Sequence, residues 1–292
     1  SQNLKLTRKY YTEDMPDGRV KHIVQNITDP DIVPYIPDGI GNSTDRQRIP
    51  AVLIIPGGAF RRLVYNFEGE DVAKWLNSMG IAAFVLECRL PSDEHDNAED
   101  VPLIDAMRAM RVIRGRAQEF GIDEAKIGVM GFSAGGFMAA LLSTAYESDV
   151  YADYKYKDEY DKLSARPDFA VCSYPVISID DCIEAGKRYM SEEQVLERIS
   201  DSKAKILHKY NPDKLVRPDM PPVFICETDD DRTTLSENSV GFYMAARKAG
   251  VSAELHIFRT GGHGYGCGDD FAQTGEWKVL FTKWIKSIGI IS

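Results

Sequence analysis

Short runs of apolar and β-branched residues alternate along the chain with longer segments whose apolar positions recur every three or four residues. The first pattern suits strands buried on both faces and the second suits helices, so their alternation predicts a mostly parallel sheet flanked by helices. Residues 51–55 read as a buried strand, followed by a Gly-rich turn and a helix over about 69–79. A strand over 81–87 comes next. Pro102 suits the first turn of a helix in which Leu103, Ala106, Met107, Met110, Ile113 and Ala117 share one face, with Arg108, Arg111 and Arg114 on or near the polar side. Strands at 126–130, 169–174, 222–227 and 253–258 continue the series, with helices at 133–145 and, at the end, 271–288. Between the last two strands, Thr234 and Glu237 have capping-box spacing and Gly250 is placed to end the helix they open.

No Gly/Ser-rich or Pro-rich linker divides this rhythm, so residues 1–292 are expected to form a single domain. Residues 1–50 are read as N-terminal strands and an extension, because 21–27 alternate in part. Two stretches interrupt the pattern. Residues 146–166, dense in Tyr, Asp and Lys, predict a solvated excursion. Residues from about 178 to 220, with capping-box spacing at Ser191 and Gln194, predict a small helical cap above the C-terminal edge of the sheet, where open α/β sheets bind ligands.

Composition then removes whole classes of function. A chain that is 43% hydrophobic and 27% charged can bury a sizeable core. It has no run of 18 apolar residues, so no membrane span is expected. With a net charge of −10 and no cluster of Lys and Arg it is a poor partner for nucleic acid. Its five cysteines (Cys88, Cys172, Cys182, Cys226, Cys267) are scattered, which predicts neither a zinc site nor a disulfide framework and suits a reducing, cytoplasmic compartment. A signal peptide removed before Ser1 would instead place the protein outside the cell. The sequence leaves oligomeric state open, a homo-oligomer included.

Gly131-Phe132-Ser133-Ala134-Gly135 lies between a predicted strand and a predicted helix, the context in which G-x-S-x-G marks a nucleophilic serine on a sharp turn. A serine hydroxyl needs a base, and the base needs an orienting acid. Of the five histidines, His263 stands in the Gly-rich loop Gly261-Gly262-His263-Gly264 directly after the last strand, whereas His256 alternates with apolar residues inside that strand. The acid should come from the loop after 222–227, which reads Asp229-Asp230-Asp231. Asp231 is the first choice with Asp230 in reserve; the rest read as turn formers, and the spacing matches no calcium loop. The oxyanion donors are expected to be the amide of Ala134 and one from Gly58 or Ala59 in Pro56-Gly57-Gly58-Ala59-Phe60.

Further anchors are Glu68-Gly69-Glu70, Trp75-Leu76-Asn77-Ser78, Arg89-Leu90-Pro91, Leu163-Ser164-Ala165-Arg166-Pro167-Asp168, Tyr174-Pro175-Val176-Ile177-Ser178 and Glu237-Asn238-Ser239. With the motifs above, they resemble the bacterial acetyl esterase and acetylxylan esterase-like branch of the α/β-hydrolases, which also includes feruloyl-esterase-like proteins. The resemblance implies an α/β-hydrolase fold and hydrolysis of acetyl or another short acyl group from a carbohydrate or other small-molecule or oligosaccharide ester, with no cofactor and no metal. Three departures stand out. Ala59 replaces a usual third Gly, which predicts a negative φ there; Glu227 replaces a usual His before the acid loop; and Arg232-Thr233-Thr234-Leu235 alters the acid's support. Phe60, Tyr65, Phe67, Tyr174 and Tyr265 are candidates to stack on a sugar, and Arg61 and Arg62 to contact substrate, with ordinary packing and a surface ion pair as the plainer readings. Feruloyl-esterase and oligopeptidase-like activities remain open, as does a binding protein that has lost turnover.

Overall fold

The computed structural model describes residues 7–39, 48–93, 95–152, 157–188, 190–191, 193–195, 205–268 and 273–292. Ten strands are present among them: β1 (Lys9–Asp14), β2 (Val20–Gln25), β3 (Asp31–Tyr35), β4 (Ile49–Ile55), β5 (Leu63–Val64), β6 (Ala82–Glu87), β7 (Ile122–Phe132), β8 (Ala170–Ser173), β9 (Val223–Thr228) and β10 (Ala253–Phe258). Seven form one sheet in the order β10-β9-β8-β7-β4-β6-β3, parallel except for β3 against β6. The chain enters at the edge strand β3, crosses to β4, steps back to β6 between them, and then returns past β4 to β7 on its other side. That reversal leaves a crevice beyond the C-terminal ends of β4 and β7, the place where this architecture binds ligands. The fold is that of the α/β-hydrolases.

Among the described residues the strands are accompanied by α1 (Asp71–Ser78), α2 (Val101–Gly115), α3 (Ala117–Phe120), α4 (Ala134–Ala145), α5 (Ile179–Lys187), α6 (Lys205–Lys209), α7 (Ser236–Lys248) and α8 (Trp277–Ser287). Alternate residues of β4 enter opposite layers, as the two-residue period of a strand requires. Leu53 and Ile55 join Met110 of α2, Phe137 and Leu141 of α4 and Phe242 of α7, whereas Val52 and Ile54 join Leu76 of α1 and Trp277 and Phe281 of α8. Burial on both faces explains why these strands read as unbroken apolar runs.

The N-terminal region forms a hairpin, β1 against β2, whose second strand also pairs with β5 through Ile23↔Val64 and Val24↔Leu63. It therefore braces the loop that follows β4. Tyr65 N donates to His22 O at 2.8 Å, His22 N to Asn66 Oδ1 at 2.9 Å, and Asn66 Nδ2 to Val20 O at 2.8 Å.

Several expectations change. The helix expected to run through Ala117 ends at Gly115, since Arg116 leaves helical geometry before α3. The 146–166 excursion is not simply solvated, because Tyr146 and Tyr151 are buried. Arg108 pairs with Asp158 at 2.5 Å and Asp161 at 3.3 Å, and Arg111 lies 4.0 Å over the Tyr151 ring, so the polar face of α2 pins this segment down; residues 153–156 lie outside the described residues. The Thr234/Glu237 capping box does not form, and α7 starts after Leu235 without a side-chain cap. Gly250 does close it, at φ = +80°, with Gly250 N on Arg247 O and Val251 N on Ala246 O at 3.1 and 3.0 Å. In the 178–220 stretch, α5 and α6 are present and Ser191 and Gln194 make their reciprocal capping bonds at 3.0 and 3.2 Å, while 196–204 lie outside the described residues. The last helix begins at Trp277, and 271–272 of the expected span are likewise outside the described residues. Among the described residues no helix is long and apolar enough to cross a membrane.

Asp105 of α2 ties the end of β6 to the helix layer. Its carboxylate accepts from the Arg89 backbone at 2.8 Å and from the guanidinium at 2.6 Å, with 1% of the side chain exposed. Asp105→Ala removes one partner of a largely buried pair and is expected to destabilise by about 3 kcal/mol. A urea denaturation midpoint equal to wild type would show that the pair is not structural.

Candidate active site

The bend between β7 and α4 determines what Ser133 can do. Ser133 sits at φ = +54°, a region that non-glycine residues rarely occupy. Neighbouring backbone closes in from both sides: a Cβ on Gly131 would stand 1.9 Å from Gly135 O, and one on Gly135 would stand 1.9 Å from Ile55 O. Only glycine fits either position. Ser133 N donates to Ser173 O at 3.0 Å, fixing the bend to β8.

His263 and Asp231 arrive from the ends of β10 and β9, which are paired in parallel up to Phe258↔Thr228. His263 Nε2 is 2.8 Å from Ser133 Oγ, and Nδ1 is 2.6 Å from Asp231 Oδ2. The side chain of Asp231 is fully buried while that of His263 keeps 20% exposure, so the acid is shielded and the base still faces the crevice. The turn folds around the acid: Thr233 N and Thr234 N donate to Oδ1 at 2.7 and 2.9 Å, and Thr234 Oγ1 to Oδ2 at 3.0 Å. Burial pushes the Asp231 carboxyl up, but its hydrogen bond and charge interaction with His263 and the two threonine amides outweigh that and hold it below the usual range. Asp230 takes another part. Its Oδ1 accepts from Gly261 N at 3.0 Å and Gly262 N at 2.8 Å, tying the histidine loop to the acid loop. Asp229 is exposed.

The loop after β4 lies against the nucleophile, since a Cβ on Gly57 would be 3.0 Å from Ser133 Cβ and 2.5 Å from Phe132 O. Ala59 overturns the expectation of a negative φ: it stands at +57°, followed by Phe60 at +59°. The reason is the loop's return to β5, closed by Arg61 N on Gly58 O at 3.1 Å and Val64 N on Gly57 O at 2.9 Å. Two left-handed non-glycine residues in succession store roughly 1 kcal/mol or more each. Ala134 opens α4, where amides have no intrahelical acceptor.

The substrate-contact candidates separate. Tyr174 is fully buried, with its ring edge-on to His263 at 5.0 Å, and Tyr265 is buried against Tyr174 at 4.5 Å. Neither offers a face to a sugar, so for these two the plainer reading, ordinary packing, holds and the stacking candidate does not. Phe60 is also buried, edge-on to Phe137, and lines an apolar hollow with Leu63, Cys88, Leu90, Ala134 and Met138. Arg61 is exposed, and Arg62 pairs with Glu13 of β1. Tyr65 meets Tyr35 through their hydroxyls at 3.3 Å, and Arg19 lies 5.2 Å over the half-buried Phe67. Among the described residues no cluster of three or more His, Cys, Asp or Glu is placed to hold a metal.

Sequence reasoning gave Thr234 a capping-box role and assigned no function to Glu68 or Glu227. Glu227, one residue before the end of β9, is fully buried, accepting from Thr228 N at 2.9 Å and Ser239 Oγ at 3.3 Å. Burial, reinforced by the Asp231 charge, pushes its carboxyl well above the usual range. A raised folded-state value means that its contribution to stability is complete below the unfolded value of about 4.3 and is lost as pH rises through the folded value. Glu227→Gln lacks that loss. Its thermal midpoint is expected to gain on wild type as pH rises above about 4.3; a constant difference would contradict an upward shift of Glu227.

With this geometry in hand, comparisons place the chain among known proteins. The BD-FAE family model matches residues 40–245. An acetylxylan esterase of Xylanibacter ruminicola is 31% identical over 82% of the chain, and endo-1,4-beta-xylanase B of Butyrivibrio fibrisolvens is 29% identical over 89%. The chain spans less than half the length of these relatives, 45% and 40% respectively. Among solved structures, the acetyl ester-xyloside bifunctional hydrolase of Caldicellulosiruptor lactoaceticus superposes with a TM-score of 0.73 at 38% identity, covering 90% of this chain and 89% of that one.

Proposed function

The chain belongs to the BD-FAE family, and from that premise we propose that it is a serine carboxylic ester hydrolase that removes acetyl or other short acyl groups from carbohydrate, xylan-type oligosaccharides foremost. The observation that carries this reading is the continuous relay from Ser133 Oγ through His263 to Asp231, at 2.8 and 2.6 Å. The names of the relatives support the substrate class: an acetylxylan esterase, a xylanase and an acetyl ester-xyloside hydrolase. The apolar hollow beside Phe60 supports an uncharged acyl group.

In this mechanism Ser133 Oγ attacks the ester carbonyl as His263 Nε2 takes its proton. Asp231 accepts a hydrogen bond from Nδ1–H, which selects the tautomer with a free Nε2 and stabilises the imidazolium that forms. The tetrahedral oxyanion is received by the Ala134 amide, at the positive end of α4, and by an amide of Gly58 or Ala59. His263 then protonates the departing sugar oxygen as its bond to the acyl carbon breaks, giving the free hydroxyl, and in the second half it activates water to release the acid. No step calls for a metal or cofactor.

The test is a panel of p-nitrophenyl acetate, acetylated xylo-oligosaccharides and feruloyl esters against wild type and Ser133→Ala. Acetyl esters are expected to be turned over and the variant to lose about 10⁴-fold or more in kcat. A Ser133→Ala protein with wild-type turnover would overturn the serine mechanism. A preference for feruloyl esters would overturn the acyl assignment.

A further inference from the structure

Glu68 lies in the tight turn Asn66–Glu70 ahead of α1, buried and outside the relay of Ser133, His263 and Asp231. Its Oε2 accepts from Gly57 N at 2.8 Å, at the start of the oxyanion loop. Its Oε1 accepts from the Tyr174 hydroxyl at 2.9 Å. That hydroxyl oxygen in turn accepts from Gly266 N at 3.0 Å, in the loop that carries His263. Tyr174 also reaches the acid turn, because its carbonyl accepts from Thr234 Oγ1 at 3.3 Å. One carboxyl thus joins all three loops around the nucleophile.

The direction of these bonds is set by chemistry. Backbone N–H groups only donate, so Gly57 and Gly266 both give protons, and the Tyr174 hydroxyl, which receives one bond, passes its own proton to Glu68. Every donor points toward the carboxyl. A side chain with one acceptor and one donor end cannot satisfy both arms.

We propose that Glu68 is a positioning residue that holds the oxyanion loop in register with His263, through Gly57 on one side and through Tyr174 and Gly266 on the other. The inference rests on the ester-hydrolase reading of the same site. Oxyanion donors act on charge that develops in the transition state, so a displaced loop weakens transition-state binding and leaves ground-state binding of a small ester nearly intact.

The experiment compares Glu68→Gln, Tyr174→Phe and the double variant in the full chain, reading kcat and KM for p-nitrophenyl acetate alongside thermal midpoints. Each single variant is expected to lose about 10- to 100-fold in kcat, with KM within about threefold. The double variant is expected to be no slower than the slower single, because both break one linkage. A folded Glu68→Gln protein with wild-type kcat, a loss confined to KM, or losses that multiply in the double variant would overturn the proposal. Should Glu68→Gln fail to fold, Tyr174→Phe, which lacks one oxygen, decides alone: reduced kcat upholds the linkage and unchanged kcat overturns it. Ser133→Ala separates the two readings. If it is inactive while Glu68→Gln matches wild type, only the positioning role falls; if it retains turnover, the ester-hydrolase reading falls.

Discussion

The bend between β7 and α4 leaves no room for a side chain on either flank of Ser133, and the rest of the site follows from that crowding. Gly131 and Gly135 let the chain pass within contact of its own carbonyls and of Ile55, and the serine between them is held at φ = +54°. Backbone strain at a reacting residue is tolerated where the surroundings over-determine it. Here the surroundings are β4 and β8 on either side of β7, packed between two apolar layers. The serine consequently projects at the crevice where strand order reverses, rather than along the sheet.

The partners reach it because parallel strands deliver their following loops to one edge. β9 and β10 end in register, so the acid turn and the histidine loop emerge side by side, and Asp230 and Thr228 stitch them together through Gly261 and Gly262. The oxyanion loop is braced from a different direction. Its return strand β5 pairs with the N-terminal hairpin, and Arg62 pairs with Glu13, so a region far from the nucleophile in sequence supports the left-handed backbone at Ala59 and Phe60.

The parallel strands were legible because they are buried on both faces, and Ser133 and His263 because glycines mark the places where backbone must approach closely. Choosing among Asp229, Asp230 and Asp231 was harder, since three adjacent carboxylates differ only in where a turn aims them. Tyr174 and Tyr265 stood open between stacking and packing for a related reason: an aromatic residue after a strand reads the same whether it faces a crevice or fills the space behind a catalytic loop. The hairpin was half legible, through the alternation at 21–27, but its pairing with residues 63–64 is non-local and leaves no local signature. Thr234 fits capping-box spacing and yet serves the acid instead, because its hydroxyl lies within reach of Asp231, Tyr174 and His263.

The central claim is that Ser133 is a nucleophile activated by His263 and Asp231. Its most direct measurement is reaction with a fluorophosphonate probe, followed by peptide mass mapping and residual activity. The account predicts one adduct, on Ser133, with esterase activity falling in proportion to labelling and no adduct in His263→Ala on the same timescale. Labelling of another residue, or full activity in protein whose Ser133 is completely modified, would contradict it.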